Sequence, residues 1–98
     1  LTVILHTLNA SPASSAFFDC TRVVDAGDAV ILMGDGVYAA LQGTRACAEL
    51  QATGVELYVL FPDAQVAGVN HPSAGIISID MVGFVALTER FPRQQAWY

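Results

Sequence analysis

An open, mostly parallel sheet of about five strands, with helices on both faces, is the architecture this sequence predicts. Two observations carry it. Apolar runs of strand length alternate with stretches of helical periodicity along the 98 residues, the pattern of a layered α/β fold. Residues 29–33 (AVILM) are a continuous apolar run rather than an alternating one, as expected of a strand covered on both faces. The length fits one domain spanning 1–98, and no repeat or low-complexity segment divides it.

The elements follow in order. Residues 2–8 (TVILHTL) form a short β-rich run and read as the first strand. Pro12 pushes Ser11 out of the helical region, so residues 9–12 are a loop. Ser14 or Ser15 can cap a helix running to about Ala26, with Phe17, Cys20, Thr21 and Val24 on one face. Gly27 is its expected stop. After the second strand, Gly34-Asp35-Gly36 makes a turn, and Asp35 is placed to cap a short helix over 37–41. Thr44 can cap a helix over 45–52, closed by Gly54. The third strand, 56–61, ends at Pro62-Asp63, with one helical turn expected over 63–67. Residues 68–75 are loop-like, 76–79 (IISI) are a fourth strand, and Asp80 caps a last helix over 81–90. Residues 94–98 are an aromatic tail or a fifth, edge strand, with Trp97 and Tyr98 expected to dock on the domain or on a partner.

Composition narrows the functional classes. Hydrophobic residues make up 54% of the chain and charged residues 13%, against a usual charged share of about 25%. So few charges leave apolar surface outside a small domain, and large apolar patches meet partners; a subunit is expected. The net charge is −5, and the only strong bases are Arg22, Arg45, Arg90 and Arg93. Direct nucleic-acid binding, which leans on basic side chains against phosphates, is not expected. Neither is a membrane span, since no apolar run approaches about 20 residues. Two cysteines are too few for a disulfide framework, and a reducing cytoplasm is the default compartment.

The candidate chemistry is sparse. The Gly34-Asp35-Gly36 turn sits where α/β sheets place ligands, which leaves a small-ligand-binding module as an alternative reading. It lacks a dinucleotide fingerprint and any Walker lysine, so no cofactor is expected. Neither Cys20 nor Cys47 belongs to a CxxC pair, and no metal is expected. Cys47 pairs with Leu50 at helical spacing and reads as packing. Cys20 reads either as a core thiol or as a thiol that passes sulfur, a role that needs a thiolate. His6, within a strand, reads as a hydrogen-bonded structural residue, and His71 as a solvated loop residue. No set of residues assembles an enzyme active site from spacing alone.

Taken together, several motifs resemble the DsrH/TusB family along nearly the whole chain and in the same order. They are LHTLNASP at 5–12, DGVYAAL at 35–41, Val59-Leu60 with Pro62-Asp63 and Gly68, and at the end Asp80, Gly83-Phe84-Val85, Leu87-Thr88 and Gln95-Ala96-Trp97. The resemblance implies a DsrE-like, flavodoxin-like arrangement. Its TusB branch implies a cytoplasmic subunit that is not an enzyme alone. Such a subunit joins TusC-like and TusD-like chains in a heterohexamer that passes persulfide sulfur towards 2-thiolation of the tRNA wobble uridine. Its DsrH branch implies a place beside DsrF-like and DsrE-like chains in sulfur oxidation. In both, the principal sulfur-carrying cysteine belongs to the TusD or DsrE subunit. DsrH-type chains carry a cysteine where Cys20 falls, and many TusB chains do not. Cys20 is therefore the one residue the resemblance marks as a candidate persulfide site.

Overall fold

The computed structural model describes residues 2–98. Five strands, β1 (Leu5–Leu8), β2 (Ala29–Leu32), β3 (Glu56–Leu60), β4 (Ile76–Ile79) and β5 (Gln94–Trp97), form one sheet in the order β4-β3-β2-β1-β5. Every pairing is parallel. Four α-helices connect them: α1 (Ser15–Val23), α2 (Arg45–Ala52), α3 (Phe61–Val66) and α4 (Met81–Arg90). A 3-10 helix, Gly34–Ala40, lies between β2 and α2.

The topology decides which face each helix covers. From β1 to β4 the chain always steps in one direction across the sheet, so right-handed crossovers put α1, the 3-10 helix, α2 and α3 on one side. The last step reverses, from β4 at one edge to β5 at the other, and α4 falls on the opposite side. The core divides accordingly. On the thick side, Phe17, Val37, Ala46 and Leu50 pack on Leu8, Val30, Leu32, Leu57 and Val59. On the thin side, Phe84, Leu87 and Phe91 cover Leu5, Ala29, Ile31, Tyr58 and Leu60. In β2 both alternating sets are buried, which is why its sequence is apolar without a break.

Local signals set most boundaries. The Thr44 hydroxyl accepts from the Cys47 N–H at 3.2 Å, and an Asp80 oxygen accepts from the Gly83 N–H at 2.8 Å, both N-caps of the expected kind. The Arg45 guanidinium sits 5.0 Å from the Phe18 ring centre and links α2 to α1.

Five expectations need correction. The first strand pairs only from Leu5, not from Thr2. Helix α1 stops at Val23 rather than near Ala26. The Asp28 carboxylate takes the Asp25 N–H, and the Asp28 N–H returns to the Asp25 carbonyl, each at 3.0 Å; this tight turn removes 24–27 from the helix. Ser14 stands at the N-cap position, but its hydroxyl donates back to the Ser11 carbonyl at 2.9 Å instead of capping. Asp35 caps nothing: the 3-10 helix starts one residue earlier, at Gly34, after an extended Met33. Phe61, expected to finish β3, instead opens α3, with Pro62 in the first turn where its missing N–H costs no bond.

One glycine is required by close approach. A Cβ on Gly36 would lie 2.1 Å from the Leu8 carbonyl oxygen. That backbone atom is itself held, accepting from the Met33 N–H at 3.1 Å, and cannot move aside.

Candidate functional site

The buried polar chemistry gathers at β1, beside the C-terminal strand. His6 is 1% exposed and Asp28 4%. His6 Nε2 lies 2.9 Å from Asp28 Oδ2, and the Trp97 indole N–H reaches His6 Nδ1 at 3.1 Å. An indole can only donate, so Nδ1 must accept and Nε2 carries the proton. The imidazole is therefore neutral here and donates to Asp28. Asp28 also accepts the N–H groups of Asp25 and Ile4, both at 3.0 Å. Burial taken alone would push this carboxyl up. The hydrogen bonds from Asp25, His6 and Ile4 outweigh it and hold the group below its ordinary value. No buried side-chain nitrogen or oxygen lacks a partner among the described residues. The network closes the amino end of the sheet and ties in the last strand.

Cys20 lies on the buried face of α1, fully shielded within the thick-side core. Burial pushes its thiol up to about 12, and the nearby Asp28 charge adds to the effect. In this conformation the residue is a neutral thiol, a poor nucleophile. Cys47 is also buried, on α2. His71 is exposed in the loop before β4. Among the described residues no cluster of three potential metal-ligating side chains occurs, and no helix is long and apolar enough to cross a membrane.

At the opposite, carboxyl end of the sheet, the Gly34 turn borders a shallow cleft of about 260 Å³ lined by Gly34, Asp35, Tyr38, Asp63, Val66 and Ala67. An anion here would need free backbone N–H groups. The Gly34 N–H is already taken by Asp63 Oδ2 at 2.7 Å, and two carboxylates line the opening. The turn is not built for phosphate.

The feature that spacing did not single out is the outer side of α4. Met81, Val82, Val85, Ala86 and Glu89 line a second surface depression, and Val82 is 77% exposed. Phe84, Leu87 and Phe91 already face the sheet, so α4 is apolar on both sides. The signal was in the sequence: 81–87 reads MVGFVAL, with no polar residue to assign to water. Ile77, exposed on the neighbouring edge strand, faces the same side.

Comparison with known proteins agrees with this architecture. Residues 10–94 match the family described as DsrH like protein. The chain is 43% identical to Protein TusB of Pectobacterium parmentieri and 38% identical to Protein TusB of Escherichia coli K12, in each case over 95 residues that cover 96% of this chain and all of the relative. The crystal structure of the ychN protein from E. coli superposes with a TM-score of 0.74 at 16% identity, covering 97% of both chains, a likeness of fold. Motif order, full-length identity and sheet topology agree, and the chain belongs to the DsrH/TusB family.

Proposed function

We propose that this chain is a structural subunit of a cytoplasmic sulfur-relay complex of the TusBCD type, acting as a single domain beside TusC-like and TusD-like chains. The complex passes persulfide sulfur towards the 2-thio group of the tRNA wobble uridine. The observation that carries this reading is the full-length similarity to TusB proteins. Two physical features support it. The apolar outer side of α4 is costly for a free monomer and useful in an assembly. The polar groups that could do chemistry at β1 are all satisfied internally, which fits a scaffold better than a free-standing enzyme. The principal sulfur carrier is then a partner's cysteine, and RNA is held elsewhere in the complex, as four arginines in an acidic chain require.

Co-expression with the TusC-like and TusD-like chains, followed by native mass measurement, tests the reading. A stable hetero-oligomer containing this chain is expected; a monomer that binds neither overturns it.

The presence of Cys20 favours a second reading, a DsrH-type subunit in sulfur oxidation with Cys20 as a relay thiol. In that step the Cys20 thiolate would bond to the outer sulfur of a partner's persulfide, the partner's S–S bond would break, and the partner's thiolate would leave. Burial and a thiol held neutral near pH 7 require α1 to open first. Persulfide loading read by mass, with and without Cys20→Ser, separates the readings: a Cys20-dependent gain of one sulfur supports the relay thiol, and no gain leaves this chain as scaffold.

A further inference from the structure

The C-terminal strand is held by its backbone and by one side chain. Carbonyls at its two ends accept from β1 and the following loop: Arg93 O, just before the strand, from the Leu5 N–H at 3.0 Å, and Trp97 O from the N–H groups of Asn9 and Ala10 at 2.8 and 3.0 Å. Gln94, Gln95 and Ala96 are exposed, and Trp97 alone in β5 is part-buried, against the thick-side core. The one side-chain hydrogen bond from Trp97 goes to the Nδ1 lone pair of His6. That lone pair is also the only place on the neutral ring that can take a proton, because Nε2 already carries one towards Asp28.

We propose that β5 is a proton-sensitive latch: a proton on His6 and the Trp97 hydrogen bond compete for the same nitrogen, so protonating His6 undocks the Trp97 side chain and loosens the strand. Protonation would set Nδ1–H against the indole N–H and leave that donor unpaired in a partly buried site.

The groups around His6 favour such a switch. Asp28, from the lead into β2, faces Nε2 at 2.9 Å and keeps its bond to that N–H whichever charge the ring carries. Its own carboxyl is held below the ordinary carboxylate range, so it stays charged while an imidazole titrates. From α1 the ionisable neighbour of Asp28 is Cys20, neutral until about pH 12. From β5 comes only the uncharged indole, and β2 contributes the apolar Val30. The proposal does not depend on which sulfur pathway the chain serves.

Trp97 is the only tryptophan in the chain, so its signals report the latch directly. The full chain is titrated from pH 8 to pH 5, the span in which imidazoles ordinarily change charge. The His6 ring nitrogens and the Trp97 indole N–H are followed by NMR, and the β5 amides by hydrogen exchange corrected for intrinsic rate. The expected result is one proton, one midpoint: indole and imidazole signals move together, and the β5 amides open about tenfold more often in the protonated form. Trp97→Phe keeps a ring in place but removes the donor, and should make β5 exchange independent of pH. His71→Gln should leave the transition unchanged. An imidazole that titrates without moving the indole signal, or one that stays uncharged until the chain unfolds, overturns the proposal.

Discussion

The two faces of the sheet are built to different standards. On the thick side three α-helices and the 3-10 helix bury Leu8, Val30, Leu32 and Val59 completely, and every hydrogen-bonding group of the His6–Asp28–Trp97 network is satisfied. On the thin side one helix covers the middle of the sheet, while Ile77 and the outer residues of α4 remain in contact with water. Chain topology makes this difference, because three of the four crossovers run in one direction and only the last returns. The thick face resembles the core of a finished domain. The thin face resembles half an interface. Fold stability should therefore be concentrated on the first and assembly on the second, and a set of substitutions can break or sharpen that division.

The largest effect should come from the 3-10 helix that seats on the thick side. Gly36→Ala puts a methyl group 2.1 Å from the Leu8 carbonyl oxygen, where neither backbone can yield. A loss of more than about 3 kcal/mol is expected, at the upper end for overpacked sites. Chemical denaturation, or failure to accumulate as folded protein, reads it. Below that comes a direct comparison of the faces. Leu50→Ala on α2 removes a fully buried side chain from the thick core and should cost about 3 kcal/mol. Leu87→Ala on α4, slightly exposed in a layer made of this single helix, should cost about 2 kcal/mol because its site can collapse or admit water. Equal losses would erase the distinction.

Titration on the thick side gives the next effect. The folded Cys20 thiol stands at about 12 against an ordinary 9.0, and a raised folded value contributes stability that is complete below the unfolded value. As pH rises past 9 the unfolded chain releases the proton first, so stability should fall by about 2 kcal/mol between pH 9 and pH 11. Cys20→Ala should abolish that slope in denaturation curves. Asp28 has the opposite sign. Its folded value lies below the unfolded value of about 3.9, so its contribution is complete above that point and is lost as pH falls through the folded value. Asp28→Asn should flatten the acid limb while lowering stability at neutral pH.

What the residues disclosed in advance follows the same division. Strand β2 and the caps Thr44 and Asp80 were legible because each depends on neighbours in sequence: a continuous apolar run, or a side chain three residues from its N–H. The early end of α1 was not legible, because it depends on Asp28 folding back on Asp25 while also bonding Ile4 and His6, 24 and 22 residues away. Asp35 carried the right chemistry for a cap and lost the position to a 3-10 helix seated by the contact between Gly36 and Leu8. His6 and Trp97 lie 91 positions apart, and no spacing rule joins them; only the parallel register of β1 with β5 does. The doubly apolar character of α4 is legible in 81–87, where no polar residue marks a solvent face, whereas helical periodicity alone marks only the stripe that faces the sheet.

The smallest effect on stability should carry the clearest information about the thin face. Val85 is half-exposed on the outer side of α4, four residues before Glu89. Replacing it with lysine exchanges a β-branched residue for a better helix former and places opposite charges at i and i+4, worth a few tenths of a kcal/mol. For the isolated chain Val85→Lys should therefore change stability by less than about 0.5 kcal/mol, and in the favourable direction. For an assembly that buries this side of α4 the same lysine brings a charge into an apolar contact, where an unpaired ion is expensive. Denaturation of the single chain and native mass measurement of the co-expressed complex should then disagree: an unharmed or slightly steadier fold, and a weakened or absent assembly. If both stay unchanged, the outer side of α4 is ordinary surface, and the partners must be held by other parts of the chain, such as the exposed Tyr38, Phe61 and Val66 at the carboxyl end of the sheet.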